Sequence, residues 1–199
     1  MTVAVVHLGA GNTASVQFAL ERLGADVVVT SDAGVIANAE RVVLPGVGAA
    51  GYAMERMSAL GLTDIIKSFE RPLIGLCLGQ QLLFAESEEN GGAHMLGFIP
   101  GRVTRIPVRD GLPVPHMGWS RLGGLKDDPL LEGVNEGDYA YFVHSYACPE
   151  SAATIAEADY GAAVPAMVRS GNRWGCQFHP ERSAKAGARI LRNFLELAA

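Results

Sequence analysis

The sequence predicts one α/β domain built on a mixed, mostly parallel central sheet flanked by helices. Two observations predict it. In the first half, near-continuous apolar runs alternate with helical patterns, as in parallel strands buried on both faces. From about Gly101 the runs become short and alternating and are divided by Gly and Pro turns, the pattern of antiparallel strands, some of them extending the same sheet. No linker, internal repeat or low-complexity segment intervenes, so residues 1–199 are read as a single domain.

Residues 3–8 form the first apolar strand, and Asn12 is placed to cap a helix that runs to about Leu23 and closes at Gly24. Strands follow at 26–30 and 41–44, then two short helices bracketing Gly61, then a strand ending at Cys77. Leu82, Leu83, Phe84 and Ala85 continue this as a helical pattern. Further strands are predicted at 102–106, 139–144, 153–158, 166–169 and 173–178. A last helix from about Ala184 carries Ile190, Leu191, Phe194, Leu195 and Leu197 as an apolar stripe.

Hydrophobic residues make up 49% and charged residues 19%, which fits a well-cored globular chain and excludes a disordered one. The net charge of −5 argues against nucleic acid or an anionic membrane as partner. No basic signal-peptide region opens the chain, and no apolar stretch reaches the roughly 20 residues that span a bilayer. A cytoplasmic setting is expected. The cysteines Cys77, Cys148 and Cys176 are odd in number and form no C-x-x-C pair, so neither a disulfide framework nor a zinc site is expected. His7, His94, His116, His144 and His179 show no i, i+4 metal spacing. The reading calls for no metal and no cofactor.

Gly75-Leu76-Cys77-Leu78-Gly79-Gln80-Gln81 is the most informative segment. A cysteine between two glycines at a strand-to-helix corner is the thiol form of the nucleophile elbow, whose tight turn leaves no room for neighbouring side chains. The helix N-terminus favours the thiolate there. An isolated cysteine in an apolar run is more often a core residue. A second segment tips the balance: Gln177-Phe178-His179-Pro180-Glu181-Arg182. A thiol nucleophile needs a base, and the base needs a partner that fixes its tautomer. His179 and Glu181 fill those roles, with Pro180 expected to keep the backbone extended so that both point to one side. A third segment, Pro45-Gly46-Val47-Gly48-Ala49-Ala50-Gly51, offers backbone N–H groups for an oxyanion. It belongs at the C-terminal edge of the sheet, beside the elbow.

Gly9-Ala10-Gly11-Asn12-Thr13-Ala14 competes with this reading, because it fits G-x-G-x-x-A with Asp32 after the second strand, a dinucleotide fingerprint. It explains neither the elbow nor the His-Pro-Glu corner, and an oxidoreductase remains a distant alternative.

The elbow and the Gln177–Glu181 corner resemble the two signatures of the class-I, triad-type glutamine amidotransferases. Four further segments are similar to those glutaminases of the family that serve histidine biosynthesis: Gly9 to Asn12, Pro45 to Gly48, Pro115-His116-Met117-Gly118-Trp119, and Tyr141-Phe142-Val143-His144-Ser145-Tyr146. The resemblance implies a flavodoxin-like fold and hydrolysis of glutamine by Cys77, His179 and Glu181. It implies an oxyanion site from Leu78, Gly46 and Val47, and substrate contacts from Gly48, Gln81, Glu89, His144, Ser145 and Tyr146. It also implies a heterodimer in which this hydrolase passes ammonia to a (β/α)8-barrel cyclase, a lyase in a separate chain, across a surface that includes Asn12, Trp119 and Arg182. The chain departs from the family pattern at three places. Leu8 replaces the usual Tyr, Ser120 the common Asn after Gly-Trp, and Arg182 the frequent Lys. A glutaminase serving another synthase, a catalytically silent regulatory subunit on the same fold, and a cysteine hydrolase or peptidase remain as alternatives.

Overall fold

The computed structural model describes residues 2–9, 13–46 and 48–198. The predicted Asn12 cap and Val47 lie outside the described residues. The element order is β1 (Thr2–Val6), α1 (Thr13–Glu21), β2 (Asp26–Thr30), α2 (Ala33–Asn38), β3 (Arg41–Gly46), α3 (Ala50–Ala59), α4 (Leu62–Ser68), β4 (Leu73–Cys77), α5 (Leu78–Leu82), β5 (Phe84–Ser87), β6 (Ala93–His94), β7 (Ile99–Arg105), β8 (His116–Gly123), β9 (Tyr139–His144), β10 (Tyr146–Ala147), β11 (Thr154–Asp159), β12 (Ala163–Ser170), β13 (Arg173–Cys176) and α6 (Ala184–Glu196).

The main sheet has nine strands in the order β2-β1-β3-β4-β13-β12-β11-β8-β9. Every pairing from β2 to β13 is parallel, and every pairing from β13 through β12, β11 and β8 to β9 is antiparallel. A smaller sheet, β10-β7-β5-β6, stands beside it. Because side chains alternate along a strand, the parallel strands feed two cores. Val3, Val5, Val43, Ile74 and Leu76 pack with Leu20 of α1 and with Ile190, Leu191 and Phe194 of α6. Ala4, Val6, Val42, Leu44 and Leu73 pack with Ile36 of α2, Met57 of α3 and Ile66 of α4. The last helix is also tied down by the buried Arg41, whose Nε donates to Phe194 O at 2.9 Å and whose Nη2 donates to Leu197 O.

Three local expectations are corrected. Phe84 does not continue the helix after the elbow: α5 ends at Leu82, and Phe84 opens β5, fully buried. Asp32 is spent on the backbone, since its Oδ1 accepts the Val35 N–H at 2.9 Å and so caps α2. Pro180 does not keep the chain extended. It stands in the first turn of a 3-10 segment, Pro180–Arg182, where its missing N–H costs nothing.

Candidate active site

The elbow is held by close backbone packing. Cys77 ends β4 with φ 55° and ψ −108°, a conformation that non-glycine residues rarely adopt and that costs about 1–3 kcal/mol. The glycines on either side make this corner possible. A Cβ on Gly75 would lie 2.2 Å from Gly79 O, and one on Gly79 would lie 1.9 Å from Leu44 O. Gly46 pairs with Cys77 across β3 and β4, which brings the chain before Val47 alongside the thiol. Gly48, just beyond, is exposed with φ +89° and open space around its Cβ position, so glycine there serves conformation rather than packing.

His179 follows β13, the neighbour of β4 in the sheet. Its N–H donates to Tyr141 O at 2.9 Å, and its carbonyl accepts Ser183 Oγ at 2.7 Å. Ser183 Oγ in turn accepts the Tyr141 N–H at 2.9 Å, so one buried hydroxyl fastens the corner to β9. His179 Nδ1 faces Glu181 Oε1 at 2.9 Å, and the Glu181 side chain is only 2% exposed. The 3-10 turn folds the carboxylate back onto the ring, which is how the two groups meet without an extended Pro180. Burial by itself lowers the His179 pKa. Hydrogen bonds to Cys77 and Glu181 and electrostatic attraction toward both outweigh it, and the pKa rises to about 10. The imidazolium is therefore the favoured form at neutral pH.

Cys77 Sγ lies 3.8 Å from Val143 O and 3.9 Å from Gln177 Nε2. The other two cysteines are different. Burial pushes the Cys148 thiol up to about 12, offset in part by Gln80, and pushes Cys176 up as well, with the Glu181 charge adding to it. Both stay protonated in the core.

A cavity of about 360 Å³ opens on this corner, lined by Cys77, Leu78 and His179 together with Gly48, Gln81, Glu89, His144, Ser145 and Tyr146. All six residues expected to touch substrate thus surround one space with the thiol. Pro115 and Val143, which lie in two of the quoted segments but were given no role there, complete the wall. Glu89 reaches across to α3, where its Oε2 accepts the Ala50 N–H at 2.9 Å, two residues beyond Gly48. Gln81 Nε2 donates to Tyr146 O at 2.9 Å and to Gln177 Oε1 at 3.1 Å, linking the pocket wall to the residue beside the sulfur. Sequence reasoning placed Gln177 within its motif but gave it no role. Its signal was a polar residue in an otherwise apolar strand end.

Of the expected interface residues, Asn12 is outside the described residues, while Trp119 and Arg182 are exposed. Trp119 sits edge-on to Tyr141 at 5.8 Å, close to the His179 corner through the Tyr141 carbonyl. Among the three departures, Leu8 is buried in the core rather than on that surface. Among the described residues there is no group of three or more metal-ligating side chains, and no helix is long and apolar enough to cross a membrane.

Residues 4–198 match the family described as glutamine amidotransferase class-I. The chain is 50% identical over 196 residues to the imidazole glycerol phosphate synthase subunit HisH of Xanthomonas axonopodis pv. citri, covering 98% of both chains. It is 51% identical over 197 residues to the protein of the same name from Xylella fastidiosa, covering 99% of this chain and 98% of the relative. Among solved structures, a putative GMP synthase component from Thermoplasma acidophilum superposes with a TM-score of 0.75 at 20% identity, over 98% of this chain and 92% of that one. A structure described as a glutamine amidotransferase does so at 0.75 and 21%, over 98% and 97%. The two structures speak for the fold. The match along nearly the whole length, at about half identity to its relatives, places the chain in the class-I glutamine amidotransferases.

Proposed function

We propose that this chain is the glutaminase subunit of an imidazole glycerol phosphate synthase, one amidotransferase domain that hydrolyses glutamine and hands the ammonia to a cyclase. The observation that carries the reading is the single cavity in which Cys77 and His179 share walls with all six expected substrate contacts.

In this mechanism the Cys77 thiolate attacks the side-chain carboxamide of glutamine. The tetrahedral oxyanion is held by the Leu78 N–H at the start of α5 and by a donor from the Gly46-Val47 peptide, each worth about 3 kcal/mol in the transition state. His179, protonated at rest, gives its Nε2 proton to the departing ammonia. The neutral ring then takes a proton from water, which attacks the γ-glutamyl thioester and releases glutamate. Glu181 fixes the ring through Nδ1 and stabilises its charged form. Gly48, Gln81, Glu89, His144, Ser145 and Tyr146 grip the substrate.

The partner reading is supported by the relatives, which are named as subunits of a synthase. We assign the lyase step to a (β/α)8-barrel cyclase in a separate chain, docked over a surface that includes Trp119 and Arg182, with Asn12 as a further expected contact. The three free cysteines suit a reducing, cytoplasmic setting. Glutamate release is measured for wild type and Cys77→Ala, each with and without a cyclase and its nucleotide ligand. Cysteine-dependent release that rises with the liganded cyclase is the expected result. Release indifferent to the cyclase would assign the chain to another synthase, and none in any mixture would make it catalytically silent.

A further inference from the structure

From the pocket residue His144 a polar chain runs back into the antiparallel end of the sheet, through two side chains that the proposed chemistry does not use. Ser120 Oγ and His116 Nε2, both on β8, are 2.8 Å apart. His116 Nδ1 is 3.0 Å from His144 Nε2 on β9, where the two residues are direct cross-strand partners. His144 Nδ1 is 2.8 Å from Tyr146 O on β10, the carbonyl that also accepts Gln81 Nε2. The His116 ring is stacked between Phe142 at 4.7 Å and Tyr160 at 3.9 Å, so its plane is set from both sides.

The hydrogen-bond directions along this chain follow from its end. A carbonyl can only accept, so His144 carries its proton on Nδ1 and presents a bare Nε2. His116 must then donate from Nδ1, which leaves its own Nε2 as an acceptor, and the Ser120 hydroxyl supplies the proton. Reversing the order would set two lone pairs against each other at Tyr146. Burial lowers both ring pKa values to about 4, so the rings are neutral and the tautomers are defined. His144 and Tyr146 line the cavity; Ser120 lies at the other end, next to the exposed Trp119.

We propose that Ser120 and His116 are positioning residues of the substrate pocket, which hold the ring plane of His144 and through it the Tyr146 carbonyl. The proposal rests on the glutaminase reading. Its effect falls on the pocket wall and not on the sulfur, so it changes how well glutamine is held more than how readily Cys77 reacts. A hydroxyl-to-ring hydrogen bond of ordinary strength predicts a roughly fivefold rise in KM for glutamine in Ser120→Ala.

The test measures KM and kcat for glutamine in the complex with a cyclase and its ligand, together with the rate of Cys77 alkylation by iodoacetamide. Ser120→Ala and His116→Phe are expected to raise KM more than they lower kcat, with the alkylation rate at its wild-type value. Ser120→Thr and Ser120→Asn, which keep a donor, are expected to restore KM. Ring 15N shifts of the folded wild type are expected to show both histidines neutral and protonated on Nδ1, with the His116 Nε2 resonance moving toward that of an unbonded nitrogen in Ser120→Ala. Unchanged KM in both Ser120→Ala and His116→Phe while wild type is active would overturn the proposal and leave the glutaminase reading standing. Equal losses in every variant, the donors included, would also overturn it, since that marks simple structural damage. Failure of wild type itself to release glutamate would instead sink the glutaminase reading beneath it.

Discussion

The two halves of the sheet hold the site by different means. In the parallel half, Cys77 is placed by backbone pressed against backbone, with Gly75 and Gly79 leaving no room for a single added carbon. On the antiparallel side, the pocket wall runs from His144 of β9 to Tyr146 of the smaller sheet and is placed by side chains: Ser120 acts on His144 through His116, and Gln81 holds the Tyr146 carbonyl. Backbone contact fixes Cys77 rigidly and tolerates no change. Polar side chains fix the wall with adjustable bonds, each of modest net worth. The difference predicts catastrophic effects on one side and graded ones on the other.

The largest effect sharpens the parallel side. Cys77→Ser is expected to lower kcat by ~10⁴-fold or more in a glutamate-release assay, because the remaining groups supply only oxyanion and binding terms. Glu181→Gln comes next, with a loss on the order of 10³-fold, since a neutral amide neither stabilises the imidazolium nor enforces its tautomer. Its pH profile carries a second signature. The His179 pKa is raised to about 10, so the protonated ring the first step needs persists until pH climbs through that value. Without the carboxylate the alkaline limb must move to lower pH. A limb that stays in place would show that Glu181 does not govern the ring.

Stability changes probe the same contrast. Gly79→Ala places a Cβ 1.9 Å from the Leu44 carbonyl oxygen and is expected to cost about 3 kcal/mol in urea unfolding, at the upper end of overpacking penalties. Gly48→Ala meets nothing and pays only for its positive φ, about 1 kcal/mol. Equal costs at the two positions would break the comparison. A further effect lies on the antiparallel side and appears only in acid. His116 and His144 are pushed down to about 4 by burial, so the unfolded chain binds more protons than the native one between about pH 6.5 and pH 4. Stability therefore falls as pH drops through that window, and His116→Phe is expected to lose part of the slope in melting temperature against pH.

The same contrast explains what could be read before the fold was seen. The elbow is legible because so tight a corner demands glycines at fixed places, and the His-Pro-Glu corner because its imidazole and carboxylate stand only two residues apart. The parallel strands are legible because burial on both faces leaves long apolar runs. Phe84 was misread because a short apolar run looks the same in a helix and in a buried strand. Strand β8 escaped notice because its pattern is interrupted by Gly118 and its exposed face carries Met117 and Trp119. Asp32 fitted a ribose-binding position by spacing alone, and only the presence of α2 shows where its oxygen goes. Gln177 and Ser120 could not be assigned from sequence, because their partners lie far along the chain or depend on which face of a strand meets which ring.

The central claim is that the strained thiol of β4 is the nucleophile toward glutamine. It is tested most directly by treating the protein with a glutamine analogue whose carboxamide is replaced by an electrophilic diazoketone, then mapping the adduct by peptide mass. The account predicts one adduct, on Cys77, suppressed by excess glutamine and absent from Cys77→Ser, with Cys148 and Cys176 untouched. Labelling of Cys148 or Cys176 at comparable rate, or labelling of Cys77 that glutamine does not suppress, would contradict it.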